Sequence, residues 1–402
     1  MIFCIKINNC CTRNKIFLIA LFLLIILFNS IGCGQNKNTY IDRGNRYYKR
    51  NNFNDAIKAY NKALKYDPTD EEIYFNRGTT YFTKGDFDKA IEDFTKAIDL
   101  NPNSVKSYNN RGLSWYKKKK YDLAICDYTQ ALNTNPQFSY AYNNLGDALA
   151  AKGEYIDSII NYGKALKINP KYFEAYYGRG LSNYAIENYD HAIKDFSTAI
   201  SLNDKFALGY AKRAEAWTKK GNIDKAIDDY NKAIKLDPLF LKVYVNLGHL
   251  WFDEKGNLDN AISNYTEALY IDPSDSIIYA KRGDAFYQKG KIREAIDDYN
   301  SALEINPNNT NVCNNLAWIL ATSHKDEYRD GLKAVELAMK AVKINSNEFT
   351  LSTLSAAYAE IGKFDYAIKY INQAIESSKN KNQIQNFNEQ LKYYKNGKSW
   401  RE

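Results

Sequence analysis

Three asparagines, Asn76, Asn110 and Asn144, stand at intervals of 34 residues, and the same place in the pattern holds Asn246 and Asn315 further along the chain. A carboxamide offers one acceptor and two donors. A row of carboxamides therefore matches the C=O and N–H groups of an extended polypeptide without regard to its side chains. Aromatic residues keep the same interval: Phe75, Phe82, Tyr116, Tyr140, Tyr177, Tyr184, Phe252 and Tyr287. Rings supply broad contact area with little rotamer entropy to lose, a composition typical of recognition surfaces. The chemistry in view is non-covalent binding. Bond-making motifs are missing from the sequence: no Gly-Lys pair has the glycine and hydroxyl residue of a phosphate-cradling loop, and there is no H-E-x-x-H and no C-x-x-C. The histidines, His191, His249 and His324, are isolated. We expect no catalytic residue, no cofactor and no metal site.

The elements that must position these residues follow from the interval itself. In the stretch 71–104, Tyr74, Gly78, Tyr81, Ala90, Phe94, Ala97 and Pro102 occupy positions 4, 8, 11, 20, 24, 27 and 32 of a 34-residue unit. Ten such units begin near Lys37, Glu71, Val105, Ser139, Phe173, Ala207, Leu241, Ser276, Thr310 and Glu348. Position 27 is alanine in all ten, and all seven prolines of the chain fall at position 32. Two antiparallel helices approach closely only where side chains are small, and Gly78 with Ala90 is the expected place of approach. Gly85 suits the left-handed end of the first helix. Pro102 stops the second, having no N–H to donate and disfavouring helical geometry in the residue before it.

This set of spacings resembles the tetratricopeptide repeat. The resemblance implies an all-α fold, a right-handed α-solenoid of about ten helix-turn-helix repeats, and a non-enzymatic scaffold that binds a protein or peptide partner. It also implies that first helices line a concave groove, which places Asn76, Asn110, Asn144, Asn246, Phe75, Tyr116, Tyr140 and Tyr177 as the expected peptide-binding residues. The asparagine row is similar to the ladder in the superhelix of protein O-GlcNAc transferases. A carboxylate clamp of the chaperone-binding kind is not expected. Asn45, Asn76 and Lys106 match it, but Ile41 and Asn110 replace its outer cations.

Residues 1–33 lie outside the repeats. Lys6, Arg13 and Lys15 precede an unbroken apolar run from Ile16 to Phe28, the pattern of an export signal. As a helix that run would extend roughly 20 Å, short of the roughly 30 Å hydrocarbon core of a bilayer. The sequence Ser30-Ile31-Gly32-Cys33 resembles the bacterial lipoprotein signal, with Ser30 where the family usually has leucine. It implies lipidation at Cys33 and a protein anchored in the bacterial cell envelope, on its periplasmic or outer-membrane face. The expected division is thus 1–33 signal, 34–375 repeats, and 376–402 capping helix and tail. In that last segment Ile384, Phe387, Leu391 and Tyr394 make one apolar stripe. Of six cysteines only Cys126 and Cys313 lie outside the signal and its Cys33, several repeats apart, and we expect both unpaired.

The formal charge of +8 falls to +5 without Lys6, Arg13 and Lys15, too mild to argue for nucleic acid. Local charge says more, because Lys37, Arg43, Arg46, Lys49 and Arg50 face only Asp42, a cluster that would suit an anionic bilayer surface, although a solvated helix face is the more common reason for one. Two insertions break the register. One residue before Gly256 predicts a lengthened turn or a bulged first helix, and a longer insertion between Ala321 and Leu332 predicts a charged, solvated loop. Finally, positions 7 and 23 change together. Arg77, Arg111, Arg179, Arg213 and Arg282 go with Asp93, Asp127, Asp195, Asp229 and Asp298, whereas Leu145 and Leu247 go with Asn161 and Asn264. Such pairing predicts contact between the two helices of a repeat. Only Arg43 with Ala59 departs from it among the first eight.

Overall fold

The computed structural model describes residues 37–402, and the signal-like segment with Cys33 lies outside them. Among the described residues every regular element is helical. They fall into two compact units, one ending at Asp204 and one spanning Lys205–Glu402. In the first, α1 (37–49) pairs with α2 (Phe53–Tyr66), α3 (Glu71–Lys84) with α4 (Phe87–Leu100), and α5 (Val105–Lys117) with α6 (Tyr121–Thr134). Next come α7 (Ser139–Ala151) with α8 (Tyr155–Ile168), and α9 (Phe173–Ala185) with α10 (Tyr189–Leu202). The second unit continues with α11 (Ala207–Lys219), α12 (Ile223–Leu236), α13 (Leu241–His249), α14 (Leu258–Ile271), α15 (Ser276–Gln288) and α16 (Ile292–Ile305). It ends with α17 (Thr310–Thr322), α18 (Gly331–Ile344), α19 (Glu348–Glu360), α20 (Phe364–Ser377) and α21 (Lys381–Lys395). Within each unit the second helix of one pair also packs on the first helix of the next, which is the nearest-neighbour architecture of an α-solenoid.

The turns follow local chemistry. Gly85 caps α3 at φ +87, a conformation that costs glycine nothing. Each proline follows an aspartate or asparagine whose side-chain oxygen accepts the N–H two residues on. Asp67 accepts from Thr69 at 3.0 Å, Asn101 from Asn103 at 3.1 Å and Asp272 from Ser274 at 2.9 Å. That Asx turn stands where helical bonding stops, so the proline supplies only half of the stop signal. Position-27 alanines are fully buried in all ten repeats, as expected of the residue on which the next repeat closes.

The close approach expected between Gly78 and Ala90 is a different one. A Cβ on Gly78 would meet the ring of Phe94 at 3.0 Å, and one on Gly146 would meet Tyr162 at 2.8 Å. The glycine makes room for the aromatic ring at position 24 of its own second helix, a bulky group that needs the space more than a methyl does.

Positions 7 and 23 meet as expected. Arg111 Nε and Nη2 donate to the two Asp127 oxygens at 2.9 and 2.7 Å, and the same fork joins the other four pairs. Each guanidinium also lies over the ring of its own position-4 tyrosine, 5.6 Å from Tyr108 in the case of Arg111. Where leucine replaces arginine, Asn161 and Asn264 turn their amides back to Asp157 O and Asn260 O of their own helices, 2.8 Å in each case. Arg43, whose repeat has Ala59, donates to the Tyr47 hydroxyl instead.

The residue added before Gly256 is taken up as a π-helical turn, Leu250–Glu254, continuing α13. The longer insertion carries a short 3-10 turn, Asp326–Tyr328. His324 to Glu327 are exposed, but Arg329 is not solvated as a loop residue would be: it donates to Glu360 at 2.9 Å and to Ser323 O at 2.9 Å. Arg401 reaches the same Glu360 at 2.6 Å, which ties the chain end to the insertion. The last helix, α21, caps α20 through Phe387, Leu391 and Tyr394, with Ile384 half-buried, and Trp400 meets Tyr393 edge-on at 5.1 Å. Cys126 and Cys313 are both free.

Candidate polypeptide-binding faces

In the first unit the asparagines sit on successive first helices, α3, α5 and α7. Asn144 Nδ2 donates to Asn109 Oδ1 at 2.9 Å, and Asn109 Nδ2 donates to Asn110 Oδ1 at 3.1 Å. Buried Asn109 thus links two of the three amides and leaves the Asn110 donors unspent. The Asn76 side chain makes no hydrogen bond among the described residues. In the second unit, the Asn246 amide donates to the Tyr230 hydroxyl at 3.0 Å.

The expected aromatics divide. Tyr116 and Tyr177 line one cleft of about 290 Å³ in the first unit, together with Asn143, Asp147, Tyr162 and Glu174. Phe75 leans 5.9 Å from Phe94 of its own repeat, and Tyr140 is exposed between Phe138 and Tyr172. Neither lines the cleft. Asn45, one of the residues that matched a clamp, accepts the Tyr60 hydroxyl at 2.6 Å.

Sequence reading passed over the centre of this cleft. Asp147 accepts the Tyr162 hydroxyl at 2.5 Å and Asn143 Nδ2 at 3.1 Å. Burial pushes its carboxyl up to about 6 against those two hydrogen bonds, and no lysine or arginine lines the cleft. Gly178 occupies the ladder position of the next repeat because any Cβ there would strike the Tyr162 hydroxyl. A signal existed: position 9 is Asn45, Asp147 or Asp284 in three repeats whose position 24 is tyrosine, and each tyrosine donates to it. Phe94 and Phe196, which cannot donate, stand opposite Thr79 and Leu181. Tyr128 and Tyr265, opposite Leu113 and His249, have hydroxyls without partners among the described residues.

The second unit holds a larger pocket, about 610 Å³, between its later first helices and the cap. Asp284 on α15 lies in it, accepting Tyr299 Oη at 2.8 Å and Asn315 Nδ2 at 3.2 Å on one oxygen. Tyr287, Trp318 and Phe349 supply aromatic wall, Phe252 comes from the π-turn, and Gln383, Phe387 and Gln390 from α21.

Family models for tetratricopeptide repeats match 44–85, 71–104, 146–186, 173–206, 207–240, 252–290 and 283–322. The chain carries tetratricopeptide repeats. As a class these are protein-interaction scaffolds and generally non-catalytic. No curated protein sequence matches the chain. Among solved structures of such repeats, the MamA protein is 30% identical over 43% of this chain and 95% of its own, with a TM-score of 0.39. A tetratricopeptide repeat protein from Parabacteroides merdae is 19% identical over 63% of this chain and 99% of its own, TM-score 0.49. YrrB, described as having an unusual peptide-binding site, is 20% identical over 46% of this chain and 96% of its own, TM-score 0.40. Among the described residues no helix is long and apolar enough to cross a membrane, and no group of His, Cys, Asp and Glu side chains is arranged to hold a metal.

Proposed function

We propose that this repeat protein is a scaffold held at the bacterial cell envelope by lipid on Cys33, binding an extended segment of a partner protein along the first helices of repeats two to four. The observation that carries the binding reading is the row Asn76, Asn110 and Asn144, in which the Asn76 amide and the Asn110 donors remain unspent. A buried or half-buried amide with free donors gains more from a polypeptide carbonyl than from mobile water. The anchoring reading draws support from charge. A hollow of about 520 Å³ on the first repeat is lined by Arg43, Lys58, Lys62 and Lys65 with only Asp55 against them, a surface that suits anionic headgroups. Lys37 does not add to it, since it is bound to Asp67 and Asp70. Self-association, or service as an accessory subunit of a secretion, pilus or enzyme complex, uses the same faces. Light scattering on the purified protein separates self-association from partner capture.

The test is triple replacement of Asn76, Asn110 and Asn144 by alanine, with affinity measured for a partner cross-linked to the protein in its native envelope. Each hydrogen bond contributes roughly 0.5 to 1.5 kcal/mol, so losing the three together should weaken binding by roughly 1.5 to 4.5 kcal/mol, about 10- to 2000-fold. Asn76 and Asn110 should account for most of it, since Asn144 already spends one donor on Asn109. Affinity within twofold of the parent, with helicity and melting unchanged, would place the partner elsewhere.

A further inference from the structure

The pocket of the second unit has the inverse of the protein's overall charge. Lysine and arginine outnumber aspartate and glutamate 55 to 47 in the chain, yet the wall contains one carboxylate and no basic side chain. That carboxylate, Asp284, takes both of its hydrogen bonds on Oδ1 and leaves Oδ2 without a donor among the described residues. A second acceptor in the same wall, Asn314 Oδ1, is buried and has no partner among the described residues. Leaving such an acceptor unpaired costs about 1 to 3 kcal/mol, a cost relieved by a donor from outside the fold. The remaining wall is Tyr287, Trp318, Phe252 and Phe349, rings whose faces attract cations.

We infer that this pocket receives one basic side chain, lysine or arginine, of the polypeptide bound by the scaffold. The cation pairs with Asp284 Oδ2, donates to Asn314 Oδ1 and lies against the aromatic wall. A metal is a poorer fit, because a lone carboxylate and an amide oxygen fall short of the six or more oxygens that calcium takes, and no metal-holding cluster occurs among the described residues. The first unit repeats the arrangement only in part: Asp147 stands at the equivalent position with a tyrosine hydroxyl on it, and Asn143 Oδ1 is a buried acceptor without a partner among the described residues, but Asn143 Nδ2 takes the second Asp147 oxygen, so no carboxylate oxygen stays open there. Burial pushes the Asp284 carboxyl up against the hydrogen bond from Tyr299 and the charge of Lys281, and an incoming cation favours its charged form further. The Tyr287 hydroxyl is likewise pushed up by burial and remains neutral.

The inference rests on the scaffold reading, and the experiment separates the two. Random dodecapeptides are selected for binding to the full-length protein in detergent, then resynthesised with each lysine as norleucine and each arginine as citrulline. One such replacement should weaken binding to the parent at least tenfold and binding to Asp284→Asn less than twofold. The variant keeps an acceptor for Tyr299, so it should melt no lower than the parent. An equal loss on both proteins, or selected peptides without a basic residue, overturns the assignment of the pocket and leaves the scaffold reading standing. Failure to select any peptide overturns both. Displacement by spermidine below millimolar concentration, with no effect of the norleucine or citrulline changes, would give the pocket to a free amine and overturn the polypeptide assignment.

Discussion

At Asp147 the protein stores a carboxyl that prefers to be protonated. Its folded value, about 6, lies above the ordinary aspartate value of about 3.9. Below about pH 4 the group is protonated in folded and unfolded chains alike, and its hydroxyl-bonded site is fully favourable. As pH rises through 6 the folded chain must either keep a proton against the solution or bury a charge, and that stability is lost. The loss amounts to about 3 kcal/mol at most by pH 7. Tyr116, Tyr128, Tyr162, Tyr172 and Glu174 surround the group without a cation among them. Replacing Asp147 with asparagine should therefore raise the melting temperature relative to the parent at pH 7.5 and not at pH 4.5. Parallel melting profiles for the two proteins across that range would show that the carboxyl is well solvated.

Between paired helices the arginine–aspartate fork acts as the lock, and repeats four and seven show how it is dispensed with. Arg111→Leu alone leaves Asp127, 4% exposed, without its counter-charge, a loss on the order of 3 to 5 kcal/mol. Arg111→Leu with Asp127→Asn copies the pairing of Leu145 and Asn161, whose amide finds a carbonyl on its own helix. Urea denaturation of the double variant should recover most of that loss, to within roughly 1 to 2 kcal/mol of the parent, with coupling on the order of 1 kcal/mol or more between the two sites. Strictly additive effects would deny the contact. This lock was legible in the sequence because both partners vary together within a single repeat, 16 residues apart. The fit of Gly78 to Phe94 was not, since spacing shows where a small residue stands and is silent on which side chain needs the room. The Asx turns were half legible: proline announced the stop, while the side-chain acceptor ahead of it went unread.

For the molecule as a whole, the sequence made ten repeats and a cap readable because each feature is local and recurs. The clefts were harder to read because they join side chains across repeats. Asp147 takes its character from Tyr162 on its own second helix and from Tyr116 and Tyr177, one repeat back and one ahead. Asp284 accepts from Asn315 of the next repeat, and residues of the cap line the same pocket. The proposed attachment to a membrane is tested at Cys33. Cys33→Ala should abolish incorporation of labelled palmitate in a bacterial host and move the protein from the membrane fraction to the soluble one. Labelling that persists in the variant would remove the lipid anchor.

The π-turn at Leu250–Glu254 has a consequence for how such a chain changes over generations. Relative to the other repeats, one extra residue is accommodated within a single helix. Gly248 still faces Tyr265, and Ala261 and Ala268 are still fully buried, so the rest of this repeat keeps the packing of its unlengthened fellows. The absorbed turn also carries Phe252, which stands in the wall of the large pocket. Inheritance thus has a way to resize a binding pocket by a single small step in the gene while the frame that holds it stays in register.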